Sequence, residues 1–196
     1  DFPGRIEAVQ ERGGRVIVID PRRSRTAEQA DLHLSIKPGT DAVLLAAVVR
    51  RLLDSGHTGA GHIADLIDGV DELRGAVAAF TTDVAAAATG LTPEAIDALA
   101  DEIGAAKSAA VYGRIGTCTV EFGTLTTWLL DVIAILTGNL DQPGGMMFPR
   151  PAHDRVRAQK PGRPYWVGRR HSRVNNRPEV QGEFPVADLP DEILEP

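Results

Sequence analysis

At 196 residues and 20.9 kDa the chain has room for one domain, or one domain and a tail. Its 43% hydrophobic and 24% charged content excludes wholesale disorder, and no run of 18 uncharged apolar residues is present to span a membrane. A single cysteine, Cys118, excludes an internal disulfide framework and any Cys-rich zinc or iron–sulfur site within the chain. The formal charge of −6 is unevenly divided: residues 1–149 carry 12 basic against 20 acidic side chains, and residues 150–196 carry 9 against 7. The acidic body argues against a nucleic-acid protein. Within 150–173 lie eight basic residues and one acid, Asp154, which suits a phosphate-bearing cofactor or an acidic surface of the same protein. The opening Asp1-Phe2-Pro3-Gly4-Arg5 has neither an initiating Met nor a leader, and reads as the interior of something longer.

In chain order, residues 3–12 suit an amphipathic helix stopped by Gly13-Gly14. Arg15–Ile19 is short, β-branched and almost wholly apolar, the signature of a buried strand, and it ends at Asp20-Pro21 where proline cannot continue a ladder. Thr26 is placed to cap a short helix through Ala30. Leu32–Ile36 alternates and predicts a second strand. Pro38-Gly39-Thr40-Asp41 then turns into a strongly apolar helix over 41–54, with Thr40 as its cap. Further helices are predicted near 60–67, 70–79 and 93–106, the last with Thr92 as N-cap and Pro93 at its first position. Ser108–Tyr112 reads as a third strand, followed by the turn Gly113–Thr117 and an apolar helix over 124–137. More than half of the 13 prolines fall in 149–196, so this tail is expected to be irregular, with only Asp188–Leu194 forming a short helix. The alternation of helix and buried strand predicts a Rossmann-like, three-layer α/β domain over 1–149 with a mainly parallel sheet, and an extended basic connecting tail over 150–196.

Three segments at strand ends carry groups capable of chemistry. Asp20-Pro21-Arg22-Arg23 follows the first strand, where open α/β sheets bind ligands. A carboxylate there can accept from a ribose diol or a purine edge, and an arginine two residues on can meet a phosphate. Equally, Asp20 can cap the turn while the arginines stay solvated. Lys37–Asp41 sits between a strand end and a helix start. Asp41 would suit the N1–H and exocyclic amine of guanine, or it can simply complement the helix dipole. Gly113–Thr117 lets a planar or anionic ligand approach the backbone, or is only a tight turn. Gly59-Ala60-Gly61-His62-Ile63-Ala64 imitates a dinucleotide fingerprint, but a helix precedes it, and we set it aside. Cys118 reads as a small semi-buried residue, and Trp128 and Leu129 read as core.

Taken together, Val16–Ala27, Ala30-Asp31 and Ile36–Ala42 with Leu44 resemble the cofactor-binding core of the molybdopterin oxidoreductases, of dimethyl sulfoxide reductase, formate dehydrogenase and periplasmic nitrate reductase type. Tyr112–Thr117, Phe122-Gly123-Thr124, Trp128 and Leu136–Gly145 are similar to that family's glycine turn, helix and T-G-N-x-x-x-P-G-G segment, in the right order. The tail over 172–195 resembles a connecting segment of some bacterial members. The resemblance implies a bis(molybdopterin guanine dinucleotide) cofactor carrying molybdenum or tungsten, in an enzyme of oxygen-atom transfer or two-electron oxidation. By matching motif, Asp20 and Asp41 would contact a guanosine, with Pro21 and Gly39 beside them. Arg22 and Thr26 would lie by the pyrophosphate or sugar. Arg114, Gly116 and Thr117 would approach a pterin, and Arg150 would fall near the metal. The family's [4Fe–4S] segment and its metal-ligand segment have no counterpart here, and Val120-Glu121 stands where many relatives carry a Gln. The expectation is therefore an interior fragment, inactive alone, whose partners are the remaining domains of the same enzyme and an electron-transfer subunit. A cytoplasmic setting is expected, with a periplasmic one left open by any upstream signal. Two other readings stay on the table. One is a nucleotide-binding module like the middle domain of thiamine-diphosphate enzymes. The other is a non-catalytic interaction domain using the basic tail.

Overall fold

The structure is a computed structural model and describes residues 2–148 and 167–195. It divides into two compact units, Asp1–Phe148 and Pro149–Pro196. The first unit runs α1 (Phe2–Glu11), β1 (Ile17–Ile19), α2 (Arg25–Gln29), β2 (Leu32–Leu34), α3 (Asp41–Ser55), α4 (Val70–Val77), α5 (Thr82–Thr89), α6 (Pro93–Ala105), α7 (Ile115–Cys118) and α8 (Gly123–Leu136). The stretch Gly61–Leu66 between α3 and α4 is a 3-10 helix, not the α-helix expected there.

α3 is the centre of the first unit. Its sequence is apolar almost all round, so it can be stable only when surrounded. Val48, Val49 and Leu52 are fully enclosed, and α4, α5, α6 and α8 all pack against it. α8 supplies the facing apolar surface through Leu129, Ile133 and Leu136. Threonines enter this environment by donating their hydroxyls to a carbonyl one turn back: Thr126 of α8 to Phe122 at 2.9 Å, and Thr137, at the C-terminal cap of α8, to Ile133 at 2.7 Å. Thr92 caps α6 as expected, its hydroxyl oxygen accepting from Ala95 N–H. α5 was absent from the sequence expectation, although Thr81 caps it and Gly90 closes it in a left-handed conformation.

The sheet is smaller than expected. β1 and β2 pair in parallel, with Ile17, Val18 and Ile19 opposite Leu32, His33 and Leu34. Ser108–Tyr112 forms no strand. One reason is visible at Ala109, whose N–H donates to the Asn139 side chain at 2.9 Å instead of to a ladder partner. Val111 still packs on the core without joining the sheet. The first unit is thus mixed α/β, with a two-stranded parallel pair and a predominantly helical body.

In the second unit the short helix expected over Asp188–Leu194 is present as α9 (Leu189–Leu194). The described part of the tail departs from the expected irregular chain in its antiparallel hairpin, β3 (Val167–His171) with β4 (Pro178–Val180). The hairpin turn is closed by Ser172 N–H donating to Arg177 O and Arg177 N–H donating to the Ser172 hydroxyl. Asp188, buried just ahead of α9, accepts from Arg177 Nε at 3.1 Å and from the Asn175 amide at 3.2 Å, which joins turn and helix. Among the described residues no helix is long and apolar enough to cross a membrane.

Candidate functional site

The candidate site begins where β1 ends. Asp20 still donates its N–H to Leu34 O at 3.2 Å, but Pro21 has no N–H to continue the ladder. The chain turns away, and Asp20 Oδ1 accepts from Arg22 N–H at 2.8 Å. The turn-capping role of Asp20 is therefore real. It uses one carboxylate oxygen and leaves the other without a partner among the described residues. Two further bonds secure this exit. The Asp20 carbonyl accepts from His33 Nε2 at 2.8 Å, and the Pro21 carbonyl accepts from the Ser35 hydroxyl at 3.1 Å. Arg22 and Arg23 project into solvent, and Asp31 holds the start of β1 by accepting from Val16 N–H at 2.7 Å.

Asp41 opens α3 and is half-buried. Burial pushes its carboxyl above the ordinary carboxylate range, and the negative charge of Asp20 adds to the rise. Two residues 21 apart in sequence are thus brought close enough to repel electrostatically. Thr40, expected to cap α3, occupies the cap position but donates its hydroxyl to Lys37 O at 2.7 Å, closing the turn instead. Gly39 adopts φ +79° at its tip, with nothing within 4 Å of the place a Cβ would take. Backbone and two carboxylates therefore border an open surface at the end of the parallel pair.

Thr26 does not sit where the sequence suggested. The cap of α2 is Ser24, whose hydroxyl oxygen accepts from Ala27 N–H at 3.3 Å, and Thr26 lies inside the helix, half-buried. The reason is register: Ser24 is extended while Thr26 is already helical, and only the extended residue can reach the N–H three positions on.

Arg114, Gly116 and Thr117 form a second group, at the start of α7, which packs on α8. Arg114 is exposed, and a Cβ at Gly116 would meet nothing within 4 Å. The Thr117 hydroxyl is engaged, donating to Arg114 O at 2.7 Å. Nearby expectations need correction. Trp128 is 51% exposed and not core, whereas Leu129 is buried as expected. Trp128 continues an exposed apolar stripe with Phe122 and Leu125, spaced one helical turn apart. Cys118 is exposed instead of semi-buried. Arg150 lies outside the described residues.

The T-G-N-x-x-x-P-G-G segment proves to be a brace. Asn139 Oδ1 holds Ala109 N–H while its amide donates to the Thr137 hydroxyl at 2.9 Å. Gly138, at φ +70°, lets the Gly59 carbonyl pass where a Cβ would be 2.5 Å away. The Gly59 N–H in turn donates to Leu136 O at 2.7 Å. A Cβ at Gly145 would sit 2.1 Å from Asn139 O. The segment fastens the chain beyond the C-termini of α3 and α6 to the end of α8.

A family model described as molybdopterin oxidoreductase matches residues 4–176. The chain belongs to the molybdopterin oxidoreductase family. Among relatives of this molybdopterin oxidoreductase chain is F420-dependent formate dehydrogenase 2 subunit alpha of Methanococcus maripaludis, 32% identical over 139 residues, covering 71% of this chain and 21% of the relative. Formate dehydrogenase H of Escherichia coli is 32% identical over 131 residues, covering 67% of this chain and 18% of that one. Acetylene hydratase from Pelobacter acetylenicus shares the fold at a TM-score of 0.64 over 67% of this chain and 18% of its own, with 24% identity. The chain thus spans about a fifth of the length of these relatives.

The side chains at the β1 and α3 ends are chemically compatible with a phosphate-bearing pterin cofactor that carries hydrogen-bond donors. Asp41 and the free oxygen of Asp20 offer acceptors to a purine with two adjacent donors and to a ribose diol, and exposed Arg22 offers a counter-charge to phosphate. The open backbone at Gly39 and at Gly116 gives a planar group room to approach. Among the described residues no cluster of His, Cys, Asp and Glu is arranged to hold a metal ion directly.

Proposed function

We propose that this chain is the portion of a molybdenum- or tungsten-dependent oxidoreductase that grips bis(molybdopterin guanine dinucleotide). In this reading Asp41 accepts from guanine, and Asp20, with Pro21 and Gly39 shaping the turn, accepts from the ribose or the purine edge. Arg22 faces the pyrophosphate, with Thr26 beside it. Arg114, Gly116 and Thr117 border a pterin. Arg150 belongs to the same proposal, near the metal. The two-stranded parallel pair would be one edge of a larger Rossmann-like, three-layer sheet completed by other parts of the enzyme. The cofactor, when bound, supplies a metal centre able to exchange two electrons with substrate. This chain's residues bind and orient it and contribute no substrate chemistry, so the isolated chain would turn over nothing. A [4Fe–4S] cluster, if the enzyme uses one, would be held outside residues 1–196, which contain one cysteine. The other domains and an electron-transfer subunit would be its partners. The family's formate dehydrogenase members make formate oxidation the substrate reading to test first.

The observation that carries the proposal is the convergence of Asp20 and the half-buried Asp41 at the end of the parallel pair, close enough that the Asp20 charge adds to the raised Asp41 carboxyl. Calorimetric titration of the chain with GDP and ADP tests it. Binding of GDP over ADP, lost in D41N and weakened in D20N, is expected. Equal binding of both nucleotides would move the reading to a nucleotide module of another class. Metal and pterin measured on the full-length protein provide the second check, the bis form requiring twice as much pterin as metal.

A further inference from the structure

Where the backbone ladder of β1 stops, side chains take over. The last ladder-like bond is Asp20 N–H to Leu34 O at 3.2 Å. Beyond it, the next two carbonyls, of Asp20 and Pro21, are received by His33 Nε2 and the Ser35 hydroxyl at 2.8 and 3.1 Å. His33 lies in β2 and Ser35 one residue past its end, two residues apart, and both side chains reach carbonyls of the β1 exit. A carbonyl only accepts, so the imidazole carries its proton on Nε2. With both carbonyls held, the Asp20 peptide has a fixed orientation, and Oδ1 can accept from Arg22 N–H at 2.8 Å while the other oxygen stays free. His33 is half-buried and Ser35 exposed, which makes the imidazole bond the better shielded of the two.

We infer that His33 and Ser35 are positioning residues that aim the Asp20 carboxylate at a guanosine ligand, an inference that rests on the guanosine reading above. The orientation of Asp20 is fixed before ligand arrives, so binding need not order it.

The test uses the 196-residue chain as H33F, H33Q and S35A. Phe fills the ring's space without a donor, and the Gln amide returns a donor near the Nε2 position. In ligand-free protein, the Arg22 amide proton reports by NMR on its bond to Asp20. It is expected to shift upfield in H33F, partly in S35A, and to return in H33Q. With GDP as probe, H33F is expected to raise Kd about tenfold and H33Q to restore it to within about threefold. An Arg22 amide unmoved by H33F overturns the inference, as does an unchanged GDP Kd in H33F. H33Q that behaves like H33F while melting at the same temperature also overturns it, because packing alone would then explain the loss. If the Arg22 signal follows this pattern but the unmodified chain binds no GDP, positioning of Asp20 stands and the guanosine reading falls.

Discussion

Gly138→Ala should be among the most damaging small substitutions in the chain, and Gly39→Ala should not. Both glycines have positive φ, +70° and +79°, so an alanine at either adopts a left-handed conformation costing about 1 kcal/mol. What surrounds them differs. At Gly39 the new methyl enters open space. At Gly138 it would stand 2.5 Å from the Gly59 carbonyl oxygen, a backbone atom that no rotamer change can remove. That backbone is itself pinned, since Gly59 N–H donates to Leu136 O at 2.7 Å. Relieving the clash means parting the two segments. The lost hydrogen bond costs about 1 kcal/mol and the overpacking about 1–3 kcal/mol more. The expected totals are about 3–5 kcal/mol for Gly138→Ala and about 1 kcal/mol for Gly39→Ala. Urea denaturation followed by circular dichroism measures both, with the m-value checking that the transition keeps its character. Costs equal to within about 0.5 kcal/mol would refute the reasoning, because φ alone would then account for both positions.

Two electrostatic predictions follow. Arg51 on α3 grips Asp101 on α6 through two bonds of 2.9 Å, and the hydrogen bond from Arg51 holds the Asp101 carboxyl below its ordinary range. Both side chains are about two-fifths exposed, so a double-mutant cycle with R51M and D101N should give a coupling of only about 0.5 kcal/mol, shrinking in 1 M salt. Because the folded value is lowered, this contribution is present above the ordinary carboxylate range and fades as pH falls through the folded value. Asp41 behaves oppositely. Its folded value is raised, so its charge opposes folding once the pH exceeds the unfolded value of 3.8. D41N should be more stable than the unmodified chain at pH 7, and the gap should close as the pH is lowered through the window from the raised value to 3.8. Thermal melts from pH 3 to pH 7 check this, and a gap independent of pH would remove burial of a charge as its cause.

The parts of the fold that were legible in the sequence are those whose signal is local or whose burial is complete. α3 and α8 declare themselves because a helix apolar on most sides can only be central. β1 and β2 follow from short β-branched or alternating runs bounded by proline and glycine. Ser108–Tyr112 carries the same composition, but a strand also needs a neighbour in register, and the Asn139 side chain takes the Ala109 N–H first. α5 was hidden because an alanine run has little apolar periodicity, though the Thr81 cap and Gly90 stop marked its ends. The β3–β4 hairpin was hidden because strands rich in Gly, Arg and Pro do not alternate, and its turn depends on the Ser172 hydroxyl and a left-handed Asn176. Trp128 misled because an amphipathic helix shows which residues are apolar, and not whether a partner surface lies opposite them.

The candidate site divides in the same way. Asp20 and Asp41 were visible because strand ends and helix starts are places where chemistry collects, and each is adjacent in sequence to the turn that exposes it. His33 and Ser35 were not visible. Each meets a carbonyl more than a dozen residues away, and the meeting depends on the parallel register that sets His33 opposite Val18. A slip of one residue would turn both side chains to the other face and leave two carbonyls unpaired. The same register that builds the small sheet therefore also holds the Asp20 carbonyl. Stability and ligand geometry are joined there, while at Asp41 they are opposed, since the half-buried carboxylate beside Asp20 weakens the fold it opens. On the proposed reading, a held acceptor beside an electrostatically penalised one would suit a ligand that brings donors to both, and the binding of such a ligand would relieve the penalty.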